Sequence, residues 1–121
     1  MSEQQKRFGD IIRAKRLAKG LSLRKFAEKV GVSPTYISQI EQGKVQYAPA
    51  VDRVQKMAEV LEEPSDELIA LAGRVPEGLP GVFAEEPRMM ATFLREAKGL
   101  TAEELRKLID QTRRMKEKRE T

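Results

Sequence analysis

The chain is predicted to be all-α, with five short helices making one small domain at residues 1–73, a linker at 74–84 and a helical hairpin at 85–121. Three observations carry this. Apolar residues recur at helical spacing along the chain, serine, threonine or proline stands ahead of each stripe, and glycine follows several of them. A length of 121 residues accommodates one such domain and an appendage, and leaves no room for a further sensing domain of ordinary size.

The first helix runs from about Gln5 to Ala18, burying Phe8, Ile12 and Ile11, and Gly20 ends it. Ser22 caps the second, whose inner face is Phe26, Ala27 and Val30. Gly31 stops that helix, because a residue without a side chain adopts the left-handed end freely. Val32 plugs the turn. Ser33 and Pro34 then start a third helix, with the missing proline N–H costing nothing at the first position. Ile37 and Ile40 point inward, which leaves Thr35, Tyr36, Ser38, Gln39 and Gln42 on the outward face. After a loop at Lys44–Ala48, Pro49 opens a fourth helix packed through Val54, Met57, Ala58 and Leu61. Pro64 and Ser65 open a fifth that ends near Gly73, with Leu68 and Leu71 closing the core.

Residues 74 to 82, RVPEGLPGV, hold two prolines and two glycines, a composition that predicts neither helix nor central strand. Beyond this boundary Met89, Met90, Phe93, Leu94 and Ala97 form an apolar stripe that Gly99 breaks. Thr101 and Glu104 then make a capping box, with Leu100 and Leu105 placed as its hydrophobic staple. Leu105, Leu108, Ile109, Thr112 and Met115 continue the stripe, and Arg113–Glu120 reads as a solvated helix end. A hairpin of fewer than ~40 residues needs disulfides, metal or a partner to bury two stripes. The expected role is therefore dimerisation through Phe93, Leu94, Leu105, Leu108 and Ile109; the alternative is a hairpin folded back on the first domain.

Charge is uneven. Residues 1–53 carry 11 Lys and Arg against 5 acids, residues 54–84 carry 2 against 6, and residues 85–121 carry 10 against 8. A basic front and an acidic middle suit a protein that offers its first helices to phosphates. With no cysteine there is neither a disulfide nor a thiolate metal site, and with no histidine the usual catalytic base is missing. No phosphate-binding glycine loop is present either, so neither an enzyme nor a cofactor is expected. No apolar run approaches the ~20 residues that span a membrane. The opening MSEQQKRFGD lacks the apolar core of a secretion signal, and a cytoplasmic location is expected.

From RFGDIIRAKRLAKGLS through QIEQG to PAVDRVQKMAEVL, about residues 6 to 73, the chain resembles the Xre or Cro/C1 family of helix-turn-helix regulators. The resemblance implies a lambda-repressor-like domain whose third helix enters the DNA major groove. It implies base contacts at Thr35, Tyr36, Ser38, Gln39 and Gln42, Gln39 foremost because an amide pairs with an adenine edge. It also matches Arg16 and Glu41 to an ion pair bracing that helix. Many members carry glutamine where Leu23 and Pro34 stand here, so phosphate contacts fall to Ser22, Arg24, Lys25, Ser33, Lys44, Gln46 and Tyr47. Some of these side chains suit plainer roles: Tyr36 could cover apolar surface, and Lys25, Lys29 and Arg13 could be solvated helix charges.

The hairpin is similar in architecture to those of SinR-type repressors. A dimer of this kind sets two recognition helices about 34 Å apart, matched to an inverted-repeat operator on double-stranded DNA. The expectation is a dimeric transcriptional repressor. The other reading is a protein-interaction or antitoxin-like module whose C-terminal helices bind a toxin or antirepressor.

Overall fold

The computed structural model describes residues 2–120, and every regular element among them is an α-helix. The chain divides into two compact units, Met1–Leu79 and Pro80–Thr121.

In the first unit α1 (Glu3–Ala18) begins ahead of the expected Gln5, because Ser2 accepts the Gln5 N–H at 3.0 Å and caps the helix. Ser22 and Ser33 do the same for α2 (Leu23–Val30) and α3 (Pro34–Glu41), accepting the N–H groups of Lys25 at 3.0 Å and Tyr36 at 3.1 Å. Between them Gly31 takes φ +90°, and the Ala27 carbonyl accepts the N–H groups of both Gly31 and Val32 at 2.8 and 3.0 Å. Both N–H groups thereby share one carbonyl near the helix end.

Two boundaries differ from expectation. Pro49 lies outside α4 (Val51–Leu61), since Ala50 is the extended N-cap and the proline precedes it. In α5 (Ser65–Leu71) the buried face is Leu68 and Ile69 with Ala72 following, while Leu71 is half-buried. A seven-residue helix packed on both α4 and α1 presents positions i, i+1 and i+4, so Ile69 takes the place the spacing gave to Leu71.

The five helices close on one core: α1 packs on α3 and α5, α2 on α3 and α4, and α4 on α5. Phe26, Ile12, Ile37, Met57 and Ile69 are wholly buried at its centre. Each such side chain stabilises the fold by about 1.5–3 kcal/mol relative to exposure.

The second unit holds α7 (Pro87–Ala97) and α8 (Ala102–Glu120), preceded by α6 (Leu79–Glu85). The linker expected at 74–84 is thus corrected at its end, where a helix forms. Pro80 is tolerated because it stands second in α6, within the first turn, where a backbone N–H has no intrahelical acceptor to lose. Thr101 and Glu104 exchange both capping-box bonds: the Thr101 N–H donates to Glu104 Oε1 at 3.0 Å, and the Glu104 N–H to Thr101 Oγ1 at 3.1 Å. No side chain of α6, α7 or α8 is buried.

Candidate nucleic-acid interface

Two devices fix the position of α3. Arg16 of α1 donates from Nε to Glu41 Oε2 at 2.7 Å and from Nη2 to Glu41 Oε1 at 2.9 Å, while its Nη1 bonds the Leu21 carbonyl at 2.8 Å. The hydrogen bond to Glu41 holds the Arg16 guanidinium above its ordinary pKa, outweighing the opposing effect of burial. The second device is Gly9. A Cβ there would stand 2.8 Å from the Glu41 carbonyl oxygen and closer still to that of Ile40, so only glycine lets the α1 backbone approach α3 this closely.

With α3 pinned, its outward residues fall on two sides. Tyr36 and Gln39 border an open depression of about 480 Å³ together with Lys44, Gln46 and Tyr47 of the following loop. Ser38 and Gln42 border another, of about 390 Å³, beside Leu23 of α2. Gln42 Nε2 donates to Ser38 Oγ at 2.9 Å, so these two present themselves as a pair. Thr35 and Gln39 are exposed, and neither side chain is hydrogen-bonded among the described residues. An amide in that state is free to meet a base edge.

Tyr36 is half-buried, and its ring lies beneath the Arg53 guanidinium, whose Cζ is 4.8 Å from the ring centroid. Arg24, Lys25, Lys44, Gln46 and Tyr47 are exposed, Tyr47 to 73%. The oxygens of Ser22 and Ser33 are occupied as caps, which leaves each hydroxyl proton as a donor. Arg53 and Arg74 also border the larger depression, and sequence reasoning passed over both. No periodicity connects either residue to α3, and only the folded chain brings them to it.

In the second unit Phe93, Leu94, Leu105 and Ile109 are exposed by 49%, 52%, 41% and 49%, and Leu108 is half-buried. Among the described residues no His, Cys, Asp or Glu group could hold a metal ion, and no helix is long and apolar enough to cross a membrane.

Two capped helices joined at a left-handed glycine, with the second braced from beneath, define a helix-turn-helix domain. Residues 12–68 match the helix-turn-helix family HTH_3, which is Xre-like. A protein of Bacillus subtilis (strain 168) named "Uncharacterized HTH-type transcriptional regulator RghRB" is 37% identical over 81 residues, which cover 67% of this chain and 54% of that one. The chain therefore spans about half the length of this curated relative. The restriction-modification controller protein C.AhdI from Aeromonas hydrophila is similar in structure with a TM-score of 0.51 and 28% identity, over 55% of this chain and 98% of its own. A chain of the SinR protein/SinI protein complex aligns over 91% of this chain and 98% of its own at 24% identity and a TM-score of 0.50, a likeness of fold alone.

Proposed function

We propose that the chain is a DNA-binding transcriptional regulator of the cytoplasm, acting as a dimeric repressor on an inverted-repeat operator and not as an enzyme. The observation that carries this is the outward row of α3, in which Gln39 and Thr35 stand unpaired on a helix held by the Arg16–Glu41 pair. Base edges are read by Thr35, Tyr36, Ser38, Gln39 and Gln42. The backbone is held by Ser22, Arg24, Lys25, Ser33, Lys44, Gln46 and Tyr47, which position without specifying. Residues 1–73 act as the DNA-binding domain and residues 85–121 as the dimerisation element, with Phe93, Leu94, Leu105, Leu108 and Ile109 at the interface.

The test is selection of bound duplexes from a random DNA pool at physiological salt, with Gln39→Ala in parallel. An enriched inverted repeat is expected for the parent, and the variant should lose about 1–3 kcal/mol at that site along with its preference. Equal binding of parent and variant to selected and scrambled DNA overturns the recognition-helix assignment.

A second reading rests on the apolar side chains of α7 and α8, none of which is buried among the described residues. They suit a protein-interaction module for a toxin or antirepressor, and an antitoxin repressing its own operon would combine both roles. A pool with no enriched sequence favours the interaction module alone.

A further inference from the structure

The loop between α3 and α4 carries Lys44, Gln46 and Tyr47 but has no regular structure of its own. Its first residue is tied back to α3, the Lys44 N–H donating to the Gln39 carbonyl at 2.9 Å. Its far end is held from an unrelated part of the chain. Arg74, three residues past α5, donates from Nη2 to the Ala48 carbonyl at 2.7 Å and from Nε to the Pro49 carbonyl at 3.1 Å. The planar guanidinium spans two successive carbonyls with donors held in a fixed, charged fork.

The base of this fork is itself rigid. Gly73 turns the chain at φ +83°, and the Arg74 N–H then donates to the carbonyl of wholly buried Ile69 at 3.0 Å. Arg74 thus reaches the loop from a backbone locked to the core, and it borders the same depression as Gln39 and Lys44. It lies outside residues 12–68, the segment matched by the family.

We propose that Arg74 is a positioning residue for the DNA-backbone contacts: it latches the loop from Lys44 to Ala50 in one conformation, so that Lys44 and Tyr47 meet phosphate without paying the entropy of ordering the loop. This rests on the DNA-binding reading above. The residue acts through the loop; its own charge is secondary.

The experiment compares the full chain with Arg74→Lys and Arg74→Ala, measuring binding to a mixed-sequence B-DNA duplex in low salt and backbone NMR order parameters for Val45 to Ala48. Lysine keeps the charge but lacks the rigid planar fork of the guanidinium. Both variants are expected to bind roughly tenfold more weakly, as loss of one charge-assisted contact implies. The loop order parameters should fall from about 0.85 toward 0.6 or below while those of α3 stay put. An Arg74→Lys protein that binds as tightly as the parent overturns the proposal by showing that charge alone suffices. Unchanged loop order in both variants overturns it too. If the parent chain fails to bind the duplex, the DNA-binding reading falls and the positioning role with it, while the order parameters still report whether the latch exists.

Discussion

Arg16 and Glu41 meet in two near-parallel hydrogen bonds of 2.7 and 2.9 Å, with side chains only 8% and 5% exposed. Little water reaches either partner. Glu41→Leu alone should therefore cost about 3–5 kcal/mol, because it strands a buried guanidinium, whereas adding Arg16→Met should restore most of the loss. Urea denaturation of the parent, both single variants and the double variant measures the coupling. A single-variant loss within about 0.5 kcal/mol, the range of an ordinary surface substitution, would show that the pair does not hold α3.

Gly9→Ala adds one methyl group where two carbonyl oxygens already stand. The α1–α3 crossing must widen, at a cost of about 1–3 kcal/mol. Thermal denaturation checks the stability, and DNA binding should weaken in the same variant because α3 is displaced. A variant as stable as the parent would mean that the two helices separate freely.

Lys44→Ala should weaken binding to all duplexes alike and lower the slope of log affinity against log salt by about one. Lys29→Ala, an exposed change in the last turn of α2, should leave that slope alone. Titrations at several salt concentrations separate the two.

Glu62 ends α4 in a left-handed conformation, φ +57°, and accepts a hydrogen bond from Lys19 Nζ across 2.9 Å. That bond first, and the lysine charge second, hold the carboxyl below its usual pKa. The folded value is lower than the unfolded one, so the pair's contribution is complete above the ordinary glutamate pKa and is lost as pH falls through the folded value. NMR titration should place Glu62 back in the ordinary range in Lys19→Ala, and the acid limb of stability should lose that contribution. A Glu62 titration unmoved by the substitution would assign the shift to something other than Lys19.

Replacing Ile109 by aspartate puts a charge at the centre of the proposed dimer face, where desolvating it has no compensating partner. Sedimentation should find the parent dimeric and the variant monomeric at the same concentration. A variant that remains dimeric would move the interface to another surface.

The helix starts were legible because Ser22 and Ser33 act within three residues of themselves, and Gly31 likewise ends α2 locally. The same holds for Thr101 and Glu104. What sequence reasoning missed depends on position or on distance. Counting prolines and glycines hid α6, since the count ignores that Pro80 stands in a first turn. Gly9 reads as an ordinary helix interior until the carbonyls of Ile40 and Glu41 arrive against it. Arg53 and Arg74 gain their meaning from Tyr36 and from the carbonyls of Ala48 and Pro49, contacts that no local pattern encodes. The Arg16–Glu41 pairing was suggested by the family resemblance; spacing alone does not imply it.

The Gly9 crossing has an evolutionary corollary. Because main chain rests on main chain where α1 meets α3 at Gly9, the seat of α3 depends on that glycine and on the Arg16–Glu41 pair, not on the side chains of its outward row. Thr35 and Gln39 lie away from that seat and can mutate without reopening the packing beneath them. New preferences can then be explored at little cost in stability, and a lineage built on this crossing can diverge in what it recognises while the domain itself stays the same.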